Sequence, residues 1–84
     1  MNELEKLCNI GKKLSKQLND VGIYTYDELK NVGSKEAWLK IKSMEPSVFI
    51  NRLMALEGAI QNIRWYHLPE EEKISLKNFY MGNK

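Results

Sequence analysis

Apolar residues recur in this chain at spacings of three and four almost from end to end, which is the period of an amphipathic helix. The first such segment covers about residues 2–8 and carries Leu4, Leu7 and Cys8. The second, about 11–20, puts Leu14, Leu18 and Val21 on one stripe. Gly22 follows as a natural stop, because glycine takes a positive φ without a Cβ clash, and Ile23 packs back behind it. Thr25 with Glu28 has the spacing of a capping box, so a short third helix is predicted over about 26–31. Leu29 and Val32 face inward from it, and Gly33 ends it. Ser34 caps a fourth helix, about 35–43, whose inward stripe is Ala37, Trp38 and Ile41, extended by Met44.

Pro46 fits the first turn of a fifth and longest helix, about 46–64. Phe49, Leu53, Leu56, Ile60 and Ile63 form its stripe, and Met54, Ala55 and Ala59 widen it. A helix apolar over more than half its girth belongs at the centre of the core. Gly58 sits inside it at a propensity cost of about 1 kcal/mol, which close approach of another helix would offset. A sixth element starts at Pro69 and runs to about Tyr80, with Ile74, Leu76 and Phe79 available for packing. The last four residues are expected to fray.

The only β-rich stretch, Val21 to Tyr26, is interrupted by Gly22. The pattern therefore predicts an all-α fold: a compact orthogonal bundle of five to six short helices around the long central one, with a helix-hairpin-helix-like start. Its 84 residues make a single domain with a small core. A hydrophobic fraction of 43% with two tryptophans argues against disorder. No apolar run is long enough to span a membrane, and the first twenty residues lack the apolar stretch of a signal peptide. Cys8 is the only cysteine, so neither an intrachain disulfide nor a multi-cysteine zinc site can form. A reducing cytoplasm is the simplest expected compartment.

Net charge is only +2, too weak to imply nucleic acid by itself. Its distribution says more. Lys12, Lys13 and Lys16 gather after Asn9-Ile10-Gly11, and Lys35, Lys40 and Lys42 lie in one later stretch. Glu70-Glu71-Glu72 opens the last helix, where acids complement the helix dipole.

The Asn9-Ile10-Gly11 turn is the main candidate for chemistry. Gly11 would supply a permissive backbone, Asn9 tolerates the left-handed region, and Ile10 would plug the hairpin into the core. N–H groups at the start of the second helix then face outward with partial positive charge. Lys12, Lys13 and Lys16 add full charges. Asn9, Ile10, Gly11, Lys12, Lys13 and Lys16 could thus grip one or two backbone phosphates without reading bases. The usual hairpin has glycine where Asn9 stands, and the asparagine side chain would occupy space where a DNA backbone approaches. The competing reading is a hairpin that only packs two helices.

Two stretches carry a family resemblance. One runs from Asn9 through Ile23 and Thr25 to Gly33, then Ala37. The other runs from Leu53 through Ala55-Leu56-Glu57-Gly58-Ala59 to Arg64-Trp65, then Leu68-Pro69. Together they span about residues 4–77 and resemble the carboxy-terminal domain of the TfoX/Sxy competence-regulator family. The resemblance implies an all-helical domain with a helix-hairpin-helix-like start. It further implies a link to DNA uptake and competence-gene regulation in bacteria, without catalysis. Longer members carry an additional amino-terminal α/β domain, which is not expected in these residues.

Other constellations are weaker. Glu57 lies inside the apolar fifth helix and needs a partner, with Arg64 or Arg52 as candidates. His67 is the only histidine, so metal ligation is not expected. No nucleophile–base pair can be assembled, so neither an enzyme, a cofactor nor a small-molecule substrate is expected. Trp38 and Trp65-Tyr66 read as core or half-buried packing, or as part of a partner surface. The expected function is a non-catalytic regulatory interaction module acting through a protein partner or its own copy. The alternative is a weak, sequence-independent DNA-binding module using the hairpin.

Overall fold

A computed structural model describes residues 3–83. Among these residues the chain is all-α. A 3-10 helix at Glu3–Lys6 is followed by α1 (Lys12–Asp20), α2 (Tyr26–Val32), α3 (Ser34–Met44) and α4 (Ile50–Gln61). A second 3-10 turn at Trp65–His67 leads into α5 (Glu70–Asn83).

The helix stops follow local chemistry. After α1, Gly22 takes φ = 88°, its N–H bonds the Asn19 carbonyl, and the Ile23 N–H bonds that of Leu18. This double bond is a Schellman stop, and the buried Ile23 completes it. Thr25 caps α2 in a full capping box: the Glu28 N–H donates to Thr25 Oγ1, and Glu28 Oε1 accepts from the Thr25 N–H, each at 3.1 Å.

Three boundaries differ from expectation. The first helix, predicted over about 2–8, is a single 3-10 turn ending at Lys6, since the chain must then reverse at Asn9, which holds φ = 69° (residue 2 lies outside the described residues). The central helix is shorter than 46–64 at both ends. Pro46 does not open it. The segment before it is a turn in which the Val48 N–H bonds Glu45 O, Val48 is buried, and Trp38 Nε1–H donates to Phe49 O at 3.1 Å. At the other end Asn62 takes φ = 61° and forms a second Schellman stop: its N–H bonds Ala59 O, and the Ile63 N–H bonds Gly58 O. The longest helix is therefore α5, with 14 residues against 12 in α4. Residues 81–83, expected to fray, belong to α5, while Lys84 lies outside the described residues.

One core holds the helices together. Leu14 and Leu18 of α1, Leu29 of α2, Trp38 and Ile41 of α3, and Leu53 and Leu56 of α4 are fully buried, with Leu4 beside them. Trp38 lies at its centre, and Phe79 and Tyr80 of α5 meet its ring edge-on with centroids 6.1 and 5.6 Å away. Phe49, expected inward, is exposed because the turn ahead of α4 carries it outside; Met44, the last residue of α3, and Ile74 of α5 are exposed too.

Ser34 does not cap α3. It is buried within the first turn, and its Oγ donates to Glu57 Oε1 at 2.5 Å. Glu57 is thereby satisfied without either arginine, its other oxygen accepting from Gln61 Nε2 at 2.7 Å. The same Gln61 nitrogen also reaches Glu72, which ties α4 to α5.

Candidate functional site

A turn at Asn9–Gly11 joins the 3-10 helix to α1, but its parts work differently from those expected of a helix-hairpin-helix. Gly11 is not the special residue. Its φ is −98°, an ordinary extended conformation, and a Cβ there would meet nothing within 4 Å. The left-handed residue is Asn9. Ile10 is buried, plugging the turn into the core.

The Asn9 side chain does not occupy the outer face of the hairpin. It reaches across to the end of α4, where Nδ2 donates to Ile63 O at 2.9 Å and to Ala55 O at 3.5 Å. Its Oδ1 accepts from the Trp65 N–H at 3.1 Å. Asn9 therefore bolts the hairpin to the α4 stop, its side chain turned to Ile63 O and the Trp65 N–H. This contact also explains Gly58. A Cβ there would sit 2.5 Å from Asn9 Nδ2 and 2.9 Å from Ile63 O, so the close approach is by this side chain and the turn backbone rather than by another helix.

Lys12 and Lys13 open α1 and are exposed. Gly11 gives no side-chain cap, and the first turn of α1 contains no acid. The leading N–H groups therefore lack intrahelical acceptors and keep their positive potential. Lys16 is differently placed: its Nζ pairs with Asp20 at 3.3 Å, on an exposed face. The pair is worth little in stability, and it lowers the net charge beside the hairpin. Lys35 belongs to another face, donating to Ser75 Oγ at 3.3 Å and lying over the Phe79 ring.

Beside the hairpin the fold assembles a second set of residues. A cavity of about 350 Å³ between α1 and the start of α4 is lined by Lys13, Gln17, Glu45, Ser47, Phe49, Asn51 and Arg52, among others. A cavity of about 330 Å³ continues from it, sharing Asn51 and Arg52 and adding Asn9, Arg64, Trp65 and Tyr66. Both arginines of the chain thus line one groove. Neither guanidinium has a hydrogen bond or ion pair among the described residues. The start of α4 resembles that of α1, with no side-chain cap at Phe49 and no acid in the first turn. Trp65 and Tyr66 are exposed, at 44% and 53%, so they are surface residues while Trp38 alone is core; Phe49 is exposed at 65%. Sequence reasoning missed this grouping. Arg64-Trp65-Tyr66 was the available signal, but only the fold brings Arg52, Phe49 and Lys13 to it.

Among the described residues no group of three or more histidine, cysteine or acidic side chains could hold a metal ion. No helix among the described residues is long and apolar enough to cross a membrane.

Two solved structures from Listeria monocytogenes are similar along nearly their whole length. One, an uncharacterised protein in a triclinic form, is 52% identical with a TM-score of 0.93, covering 94% of this chain and 90% of its own. The other, a protein of unknown function in a tetragonal form, is 51% identical with a TM-score of 0.94, covering 96% of this chain and 99% of its own. No curated protein matches the chain. The model of the TfoX C-terminal domain matches residues 1–80, and the chain belongs to that family.

Proposed function

We propose that this domain is a non-catalytic interaction module of the competence-regulator family that docks a protein partner through the groove beside its hairpin. The observation that carries the reading is the grouping of Phe49, Trp65 and Tyr66, all exposed, with Arg52 and Arg64, both unpaired among the described residues. Aromatic residues and arginine dominate the energetics of protein interfaces, and large exposed aromatics are costly to keep in water without a use. Membership of the family supports a link to competence regulation.

The alternative is weak DNA binding at the start of α1, favoured by its uncapped N–H groups beside Lys12 and Lys13. Ile10 plays no part beyond packing in this reading, and Lys16 contributes less because Asp20 neutralises it. Two neutralised phosphates would give only about a tenfold loss of affinity between roughly 50 and 200 mM salt.

One experiment separates the two. Wild type, Trp65→Ala/Tyr66→Ala and Lys12→Ala/Lys13→Ala are compared for capture of cellular proteins and for binding of labelled duplex at low salt. Docking predicts that the aromatic variant loses its captured protein, that the lysine variant only weakens capture because Lys13 lines the groove, and that neither change affects duplex binding. Duplex binding that disappears in the lysine variant alone would favour the hairpin. Sizing across concentration identifies a second copy as the partner.

A further inference from the structure

We infer that the groove formed by Lys13, Gln17, Asn51, Arg52 and Arg64 receives an extended acidic peptide segment of the docking partner. The inference rests on the protein-docking reading and names the chemistry that would occupy its surface.

Charge is the first argument. Lys13, Arg52 and Arg64 line two adjoining cavities, and neither arginine has an acidic partner among the described residues. Two helix starts, those of α1 and α4, border the same space without caps or first-turn acids. Guanidinium groups bind carboxylates through paired hydrogen bonds, with more geometric selectivity than ammonium groups.

The second argument is independent of charge. Gln17 lines the first cavity, is only 9% exposed, and its Oε1 has no hydrogen-bond partner. A buried acceptor left unpaired is costly. This oxygen is closed to solvent, so the amide must turn toward the cavity for a ligand N–H to reach it, a change that the added hydrogen bond would favour. Asn51, at the junction of the cavities, is exposed and makes no side-chain hydrogen bond among the described residues, so its amide is open to a ligand. An extended peptide offers an N–H and a C=O at each residue and can serve both amides. A phosphodiester backbone has no donor for Gln17. Glu45, on the rim of the first cavity, repels phosphate and carboxylate alike, so the acids of the segment face Arg52 and Arg64, while Glu45 can accept a peptide N–H.

The third argument is shape. Phe49 stands beside the first cavity and Trp65 and Tyr66 beside the second. Apolar side chains interleaved with the acids would lie against these rings. The fitting segment is therefore acidic and apolar in alternation, with its carboxylates toward Arg52 and Arg64.

The test is affinity selection from a random displayed-peptide library on the immobilised full chain, with Arg52→Gln/Arg64→Gln and Trp65→Ala/Tyr66→Ala as comparisons. The expected result is enrichment of peptides rich in aspartate and glutamate with interleaved apolar residues. A selected peptide should lose at least about tenfold in affinity on the arginine variant, the range for charged hydrogen bonds. It should also shift the side-chain amide resonances of Gln17 and Asn51. Matching thermal melts would confirm that the arginine variant is folded. Enrichment of basic or uncharged peptides, no enrichment, or binding indifferent to the arginines would overturn the inference. So would displacement of the selected peptide by an oligothymidylate that binds more tightly. If the aromatic variant still loses a captured cellular protein while no acidic peptide is selected, docking stands and the acidic segment falls.

Discussion

Asn9 combines two roles that usually belong to different residues. Its backbone at φ = 69° turns the chain, and its side chain holds the turn against α4 through bonds to Ile63 O and the Trp65 N–H. Asparagine suits both, since it tolerates the left-handed region and carries a donor and an acceptor on one short stem. Glycine, usual in such hairpins, would supply the turn without the bolt. Asn9→Ala should lose about 2–4 kcal/mol in denaturant unfolding, from left-handed strain plus the lost hydrogen bonds. Gly58→Ala probes the same contact from the other side. In an open helix it would gain about 1 kcal/mol. Here the added methyl meets Asn9 Nδ2 and Ile63 O, so a net loss of about 1–3 kcal/mol is expected. A rise in stability for Gly58→Ala would contradict the close approach.

At the scale of elements, the central helix is defined more by its ends than by its stripe. The apolar positions from Phe49 to Ile63 would suit a helix several residues longer than α4. The early end is set by Val48 and by the bond from Trp38 Nε1 to Phe49 O, which hold the preceding turn in place. The late end is set by Asn62 in the left-handed region. Stopping there shapes the groove, because the next residues swing Arg64, Trp65 and Tyr66 to it. Asn62→Ala should cost about 1 kcal/mol in thermal unfolding, whereas Asn62→Gly should be neutral or slightly stabilising. Equal losses from both would mean that the side chain, not the backbone conformation, matters. The stops at Gly22 and the box at Thr25 were legible beforehand because each is a local arrangement of a few neighbouring residues. The ends of α4 were not, because distant burial decided one, and asparagine is only a permissive residue at the other.

For the whole molecule, one tryptophan lies at the centre of the core and the other on the surface, with exposures of 0% for Trp38 and 44% for Trp65. Acrylamide quenching of the native protein should therefore show two components, and Trp65→Phe should remove the quenchable one. A single uniform component would contradict this division. The resemblance of two stretches to the TfoX/Sxy carboxy-terminal domain pointed to the family, while periodicity and cap chemistry determined the all-α class, the order of the helices and most of the buried residues. Each of these depends on residues close in sequence, where backbone geometry fixes which side chains share a face. The pairing of Glu57 with Ser34, the inward turn of Asn9, and the meeting of Lys13, Arg52 and Arg64 in one groove were decided only by tertiary structure. Long polar side chains reach several partners from one backbone position, and which one they meet depends on how distant segments pack.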